Sequence, residues 1–253
     1  MRAGSTAHTE SMAHVAIRIG TAGWNIPRQS GRRFASSGTH LQRYAHAFTC
    51  VEINSAFYRS HRPATYARWA ASVPDDFRFA IKLTRTITHD MRLQAWRAPL
   101  DQFLSETAAL GEKRGPILVQ LPPSLAYSDR VVQRFFEGLR RRHDGPVVCE
   151  PRHPTWFTRA VERVLVRYAV GRVAADPQCG ANGDCPAGWA GLQYFRWHGS
   201  PRMYWSGYDA AALAALALRL RAAAARGSVY CIFDNTAAGF AADNALDLRA
   251  ALT

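Results

Sequence analysis

The chain has 253 residues, of which 48% are hydrophobic, and a formal net charge of +13 at pH 7. That length and apolar content are enough for a sizeable buried core in one or two domains. The sequence contains no run of about 18 apolar residues, so it predicts no membrane-spanning helix and no membrane partner. It leaves the oligomeric state open.

The positive charge comes almost entirely from arginine. Lys82 and Lys113 are the two lysines among 32 basic residues, and the arginines are spread through alanine-rich stretches. Such a spread is typical of a compositional bias, whereas a nucleic-acid-binding surface concentrates its basic residues on one face. We therefore predict a small polar or anionic ligand as the partner and keep nucleic acid as the alternative.

The N-terminal stretch MRAGSTAHTESMAHVA lacks the apolar region of a secretory signal. It predicts a disordered tail over residues 1–14, with Met12 as an alternative start, followed by one domain over residues 15–253. The expected location is the cytoplasm.

Short apolar runs predict eight strands, over residues 17–20, 50–54, 77–82, 116–121, 147–150, 171–175, 193–198 and 229–234. Between them, apolar side chains recur three and four positions apart, as in Val132, Phe135, Phe136 and Leu139, which predicts amphipathic helices. Eight strands alternating with helices predict an α/β fold, namely a single (β/α)8 TIM-type barrel. The Gly- and Pro-rich segment 176–193 predicts an irregular connection after strand six.

An open doubly wound sheet is the rival architecture, and it would carry a Gly-rich phosphate-binding turn. GTAGW at 20–24 follows the first strand but lacks the GxGxxG spacing, so dinucleotide binding is not indicated. Cys179 and Cys185 lie in CGANGDC without CxxC spacing, which argues against a zinc site and leaves open whether they pair. We predict no cofactor.

Polar residues follow most of the predicted strands, at the end where a barrel builds its active site. The candidates for catalytic chemistry are Glu52, Lys82, Glu150, Asp176, His198 and Asp234. The candidates for ligand binding are Trp24, Asn54, Tyr58, His89, Gln120, Arg152, Arg196 and Asn235. Because side chains alternate along a strand, Glu52 and Asn54 share one face, as do Arg196 and His198.

These candidates also have structural explanations. Glu52 could pair with an arginine across the barrel, and Asp176 could open an Asp-Pro turn. Gln120 could satisfy backbone groups at the Leu-Pro-Pro bend. Lys82 stands out because the chain otherwise uses arginine, and a compact ammonium with an adjustable pKa is not interchangeable with a guanidinium. It could bind an anion, activate a base or form a Schiff base, or it could simply pair with Glu52 or Glu150.

The same stretches resemble the YecE-like family, also called domain-of-unknown-function family 72. The similarity extends over about residues 17–250 and is carried, in order, by GTAGW (20–24), VEINSAFYR (51–59), FRFAIKLTRTITH (77–89), LVQLPPSL (118–125), EPRHPTW (150–156), AADP (174–177), YFRWHGSPRMY (194–204) and IFDNTAAGFAADNA (232–245). The resemblance implies a TIM-type barrel and supplies no activity. The segment NIPRQSGRRFASSGTH departs from the commoner aromatic- and Gly-rich version, so specificity there can differ.

Two classes of function remain. The first is an enzyme with hydrolase-like acid–base chemistry on a sugar- or phosphate-containing ligand. A metal-assisted form of it, a phosphodiesterase or an isomerase, would use Glu52, Glu150, Asp176 and His198 as ligands of a divalent ion, but it lacks HxH or HExxH spacing. The second class is a non-catalytic barrel that binds nucleic acid or a metabolite.

Overall fold

The computed structural model describes residues 17–253, so the predicted tail 1–14 and Met12 lie outside the described residues. This part of the chain contains ten strands: β1 (Ile17–Thr21), β2 (Cys50–Ile53), β3 (Arg78–Lys82), β4 (Arg114–Gln120), β5 (Val147–Glu150), β6 (Val170–Arg172), β7 (Ala174–Asp176), β8 (Ala187–Gly188), β9 (Leu192–Trp197) and β10 (Ser228–Phe233). All eight predicted strands therefore exist, with shifts of a few residues at their ends.

The strands form two sheets. One has the order β1-β10-β9-β7 and the other the order β2-β3-β4-β5-β6-β8. Every ladder is parallel except that of β8, which pairs antiparallel with β6. The molecule is therefore a mixed α/β fold with parallel-rich sheets, and β8 lies within the connection that the sequence predicted as irregular.

Over residues 17–253 the strands do not form one continuous closed ladder, and this differs from the predicted barrel. The predicted strand 171–175 is divided at Val173: Arg172 pairs with Cys149 in one sheet, and Ala174 pairs with Phe195 in the other. On the opposite side, an isolated parallel bridge joins Ala22 to Glu52. The sixth strand thus changes partners midway, which is why two ladders appear.

The helices are α1 (His40–Ala47), α2 (Ser55–Tyr58), α3 (Pro63–Ala71), α4 (Arg97–Thr107), α5 (Asp129–Arg140), α6 (Arg159–Arg167), α7 (Ala210–Ala224) and α8 (Phe240–Leu252). Their starts follow capping chemistry, since Thr39 and Gln42 form a reciprocal capping box and Asp209 Oδ1 accepts from the Ala212 N–H at 2.8 Å. Short 3-10 segments cover Arg28–Arg33, Ala108–Lys113 and Pro154–Trp156, and a π-helical turn covers Thr86–Asp90.

Two apolar layers organise the core. The larger one packs the outer faces of the strands against the helices, as the buried Phe135, Phe136 and Leu139 of α5 illustrate. The smaller one lies inside and draws on both sheets; its buried members are Cys50, Ala80, Leu118, Val148, Val173, Leu192, Tyr194, Tyr230 and Ile232. The two sheets therefore face each other across a shared interior.

Within the described residues, no helix combines the length and the apolar character needed to cross a membrane.

Candidate functional site

The inner strand faces carry a layer of polar residues directly beyond the inner apolar layer. Side chains two positions apart share a face, so Glu52, Lys82, Gln120, Glu150 and Asp234 follow the interior residues Cys50, Ala80, Leu118, Val148 and Ile232. The strands are parallel in register, with Gln120 opposite Glu150. This alternation brings residues that are far apart in sequence to one end of the sheets.

Arg196 of β9 lies at the centre of this layer and is fully buried. Its Nη2 is 2.7 Å from Glu52 Oε1 and 2.9 Å from Asp234 Oδ2. Its Nη1 is 2.6 Å from Glu150 Oε2. One guanidinium thus binds two carboxylates from β2 and β5 and a third directly after β10, and the ion pair that the sequence offered as a structural explanation for Glu52 is present.

His198 extends the cluster and is also buried. Its Nδ1 is 3.1 Å from Asp234 Oδ2, while its Nε2 is 2.9 Å from Glu150 Oε1 and 3.0 Å from Arg152 Nη2. A neutral ring that donates from Nδ1 to Asp234 can accept from Arg152 at Nε2, whereas a doubly protonated ring donates to both carboxylates. The ring thus bridges Glu150 and Asp234 within the cluster.

Charge pairing keeps the carboxyl groups of Glu150 and Asp234 ionised. Burial alone would raise the pKa of Glu150, but Arg196, Arg152 and His198 outweigh it and hold that pKa well below its usual range. Burial likewise opposes ionisation of Asp234, yet Arg196 and His198 lower its pKa. Burial would lower the pKa of Arg196, and the surrounding carboxylates hold it well above its usual value.

Lys82 faces this cluster but, among the described residues, forms no hydrogen bond or ion pair. Its Nζ lies 4.1 Å from the centroid of the Phe57 ring. Burial and the charge of Arg196 lower the pKa of Lys82 to about 8, although nearby carboxylates partly oppose the shift. The simple salt bridge offered as its structural explanation is not formed.

His89 completes the group around Lys82. Its ring contacts the Phe57 ring edge-on at a centroid distance of 5.0 Å, and its Nδ1 is 2.9 Å from Thr88 Oγ1. Partial burial and the charges of Lys82 and Arg85 lower the pKa of His89, so the neutral imidazole is favoured at pH 7.

Three other candidates are tied to local contacts. Asp176 Oδ2 accepts from the Tyr208 hydroxyl at 2.5 Å, and Gln120 Nε2 donates to the Leu121 carbonyl at 2.8 Å. Asn235 Nδ2 donates to the Ser206 carbonyl and to Asn244 Oδ1, both at 2.9 Å. These bonds give each residue a structural task, and their predicted roles in binding or catalysis stay predictions.

The remaining candidates, Trp24, Asn54 and Tyr58, lie beside the cluster rather than in it. Trp24 and Asn54 line a cavity of about 320 Å³ at the ends of β1 and β2, together with Gly23, Asn25, His40, Ile53 and Ser55. Asn54 Oδ1 is buried without a hydrogen-bond partner among the described residues. Tyr58 is 75% exposed at the rim, and its ring meets the Phe57 ring edge-on.

The sequence reasoning missed Tyr194, whose hydroxyl donates to Glu52 Oε2 at 2.8 Å. The signal was available, because Tyr194, Arg196 and His198 alternate along one strand and share a face. In the part of the chain from residue 17 onward, no group of three or more His, Cys, Asp or Glu is arranged to hold a metal ion. The four residues considered as metal ligands instead engage arginine, histidine or tyrosine side chains.

Comparison with known proteins identifies relatives over most of the chain. The profile of the family described as "Protein of unknown function DUF72" matches residues 18–253. The UPF0759 protein YecE of Escherichia coli K12 is 30% identical over 167 residues, which are 63% of this chain and 59% of YecE. The UPF0759 protein YunF of Bacillus subtilis is 24% identical over 153 residues, 56% of this chain and 52% of YunF. The chain thus matches less than two thirds of the length of these relatives.

Two solved structures share the fold. A DUF72 family protein from Enterococcus faecalis V583 superposes with a TM-score of 0.80 at 22% identity, covering 94% of this chain and 95% of that one. A DUF72 family protein from Thermotoga maritima MSB8 gives 0.78 at 22% identity, covering 93% and 98%.

Proposed function

The chain belongs to the DUF72 family of proteins of unknown function, and we propose that it is an enzyme that binds a small anionic ligand at the strand ends. It acts on that ligand by acid–base chemistry, and hydrolysis of a sugar- or phosphate-containing compound is the reaction class that we favour. The site opens at the mouth of a (β/α)8 barrel that the two sheets together close.

Close backbone approaches along both sheet boundaries support the closed barrel. A Cβ added at Gly20 of β1 would lie 2.2 Å from the carbonyl oxygen of Cys50 in β2. A Cβ added at Gly171 of β6 would lie 2.7 Å from the carbonyl oxygen of Leu192 in β9. Glycine at both places lets strands of different sheets touch, and the divided sixth strand then connects the two ladders.

The buried charge cluster carries the proposal. Arg196, Glu52 and Glu150 are each at most 1% exposed, and burying such charges costs several kcal/mol per ion before pairing offsets it. Apolar residues of similar volume would stabilise the interior at least as well. A charged cluster at the carboxyl ends of parallel strands is therefore better explained by chemistry than by stability.

The solvent exposure of the cluster residues indicates which of them contact the ligand. Asp234 and Arg152 have side-chain exposures of 13% and 16%, so they are the members that a ligand at the mouth reaches first. Arg152 and Lys82 supply positive charge for the anionic group. Asp234 acts as the base at the reacting centre, and His198, which shares Oδ2 of Asp234 with Arg196, relays the proton.

Inorganic phosphate is the probe that tests ligand binding. We expect phosphate to raise the thermal midpoint of the wild-type chain and of Arg134→Met, an exposed charge deletion on α5, since a ligand bound only by the folded state stabilises it. Lys82→Met keeps the volume of the side chain but loses its charge, and it should lose the phosphate-dependent rise. A rise that survives in Lys82→Met would refute the anion site.

Catalysis has to be tested by a second measurement, because phosphate binding alone is also expected of a barrel that binds a metabolite without turning it over. We expect a panel of p-nitrophenyl phosphates and glycosides to reveal turnover that Asp234→Asn lowers by about 100-fold or more while phosphate binding persists. Turnover that is equal in wild type and Asp234→Asn would argue against the assigned base.

Nucleic-acid binding is the second candidate, favoured by aromatic and basic residues at the rim. Trp205 is 46% exposed, and the Arg202 guanidinium lies 4.6 Å from its ring centroid. Such a stacked pair suits single-stranded bases. Binding of a single-stranded oligonucleotide that weakens steeply with salt and is lost in Trp205→Ala would favour this alternative.

A further inference from the structure

The two lysines of the chain are in opposite states. Lys113 Nζ donates to the carbonyls of Ala70 and Val73 at 2.9 and 2.7 Å and lies 3.3 Å from Asp75. Lys82, within the described residues, has no such partner. The amine of Lys113 therefore binds groups of the protein itself, whereas the amine of Lys82 faces the charged cluster at the strand ends without such a partner in the described part of the chain.

The carboxylates near Lys82 are occupied by other groups. Glu52 receives bonds from Tyr194 and Arg196, and Glu150 receives bonds from Arg196, Arg152 and His198. Asp234 is shared by Arg196 and His198. Each carboxylate thus binds other cationic groups, and among the described residues the amine of Lys82 forms no ion pair with any of them.

The surroundings of Lys82 increase the share of uncharged amine, although most of the amine stays charged at pH 7. Burial and Arg196 lower its pKa from 10.5 to about 8, against the opposing effect of Glu52, Glu150 and Asp234. At pH 7, an amine with that pKa is uncharged about 300 times more often than an ordinary lysine. The uncharged form is the nucleophile, and a lone lysine desolvated beside another cation is the usual arrangement for amine catalysis.

His89 provides a neutral base beside this amine. The centroid of the Phe57 ring is 4.1 Å from Lys82 Nζ and 5.0 Å from the centroid of the His89 ring, so the two groups lie within about 9 Å of each other across one ring. A single water spans only about 6 Å, but a small bound molecule or a short chain of waters can bridge that separation. A nucleophile and a base thus lie on either side of the Phe57 ring, near the anion-binding charges.

We propose that Lys82 captures the carbonyl group of a small compound that also carries a carboxylate or phosphate, so the substrate class of the site is an anionic aldehyde, ketone or oxo acid. This rests on the function proposed above. Lys82 Nζ attacks the carbonyl carbon, and the proton that the nitrogen loses passes through His89 and solvent to the carbonyl oxygen, which becomes a hydroxyl. A second proton, from solvent, lets that hydroxyl leave as water, and the product is an iminium ion with a C=N bond to Nζ. Arg152 holds the anionic group.

Reductive trapping tests the capture in the wild-type protein. The full chain is incubated with glyoxylate and sodium cyanoborohydride, which reduces the iminium ion and leaves a carboxymethyl group on the nitrogen. The products are then mapped by peptide mass spectrometry. Because the chain has two lysines, the reactive amines are Lys82, Lys113 and the N-terminal α-amine, and mapping separates them.

We expect Lys82 to be labelled at least about tenfold faster than Lys113, with a rate that saturates as glyoxylate increases. Lys113 is the matched control in the same molecule, and the Arg134→Met chain should label like wild type. Equal labelling of the two lysines, or no label on Lys82, would overturn the proposal.

Inorganic phosphate separates this inference from the function on which it rests. If phosphate stabilises the protein but Lys82 stays unlabelled, the anion site is supported and the carbonyl capture is refuted. If Lys82 is labelled but phosphate neither protects it from labelling nor stabilises the protein, the amine chemistry is supported and the anion site is refuted. Protection of Lys82 by phosphate is the result expected if both hold.

Discussion

At the scale of single residues, Arg196 decides how the charged layer is held. Its guanidinium contacts Glu52, Glu150 and Asp234, and its planar fork holds its donors in a fixed geometry that the rotatable ammonium of a lysine does not provide. Removing it would leave three buried carboxylates with one positive neighbour fewer. Breaking a buried pair from one side is costly because the remaining charge loses its compensation.

We expect Arg196→Met to lower the free energy of unfolding by about 3–5 kcal/mol at pH 7. In the wild type the pKa values of Glu150 and Asp234 lie below 4.5 and 3.8, so their stabilising contribution is present at neutral pH and is lost as the pH falls through those lowered values. In the variant these carboxyls protonate more readily. The difference between the two proteins should therefore shrink between pH 7 and pH 4.

Urea unfolding at several pH values measures this, with Arg134→Met as the surface control. If the stability difference stayed constant from pH 7 to pH 4, the carboxylates would not depend on Arg196 for their ionisation.

Single residues also show what the sequence could predict about the site. Lys82 stood out because it is a lysine in an arginine-rich chain, and the alternation of Arg196 with His198 placed both on one face. The same alternation could have found Tyr194. The bond from Tyr208 to Asp176 could not be read from the sequence, because it joins residues 32 positions apart through a loop without periodic pattern.

At the scale of elements, helices were more predictable than the ends of strands. Pro63 and Asp209 mark helix starts because their chemistry suits the first turn, whatever the tertiary contacts. The division of the sixth strand at Val173 gave no sequence signal. It arises because neighbouring halves of one apolar run pair with different strands, which depends on the arrangement of the whole sheet.

Gly138 in α5 shows packing overriding helix propensity. Replacing glycine by alanine inside a helix normally stabilises it by about 1 kcal/mol. Here the new Cβ would lie 1.9 Å from Trp96 Cη2, and Trp96 is buried. We expect Gly138→Ala to destabilise the protein by about 1–2 kcal/mol, as measured by urea unfolding, because the indole must leave its position.

Two further variants test whether the clash with Trp96 causes this loss of stability. Gly31→Ala adds a methyl group where no atom lies within 4 Å and should change stability little. Trp96→Leu combined with Gly138→Ala should cost less than the sum of the single changes, since the smaller side chain removes the clash. Strict additivity of the two changes would contradict the proposed clash.

At the scale of the whole molecule, the predicted barrel and the two observed sheets differ in one physical respect. The eight predicted strands are all present and pair in parallel, while the structure divides the sixth of them into β6 and β7 and adds the short antiparallel β8. Closure depends on how edge strands meet. At both boundaries the contact is made by glycine against a carbonyl oxygen rather than by a regular ladder of hydrogen bonds.

This arrangement makes closure testable with single methyl groups. An added Cβ would lie 2.2 Å from the nearest backbone oxygen at Gly20, 2.7 Å at Gly171 and 3.0 Å at Gly115, a residue of β4 that faces β3 within one sheet. We expect Gly20→Ala to cost about 2–3 kcal/mol of unfolding free energy, with a smaller loss for Gly171→Ala and the smallest for Gly115→Ala.

Gly20→Ala should also weaken phosphate binding, because displacing β1 from β2 moves Glu52 and, through Arg196, the whole charged layer. If Gly20→Ala and Gly171→Ala lower the free energy of unfolding no more than Gly115→Ala does, the two sheets are not in close contact at these boundaries, and the closed barrel is refuted.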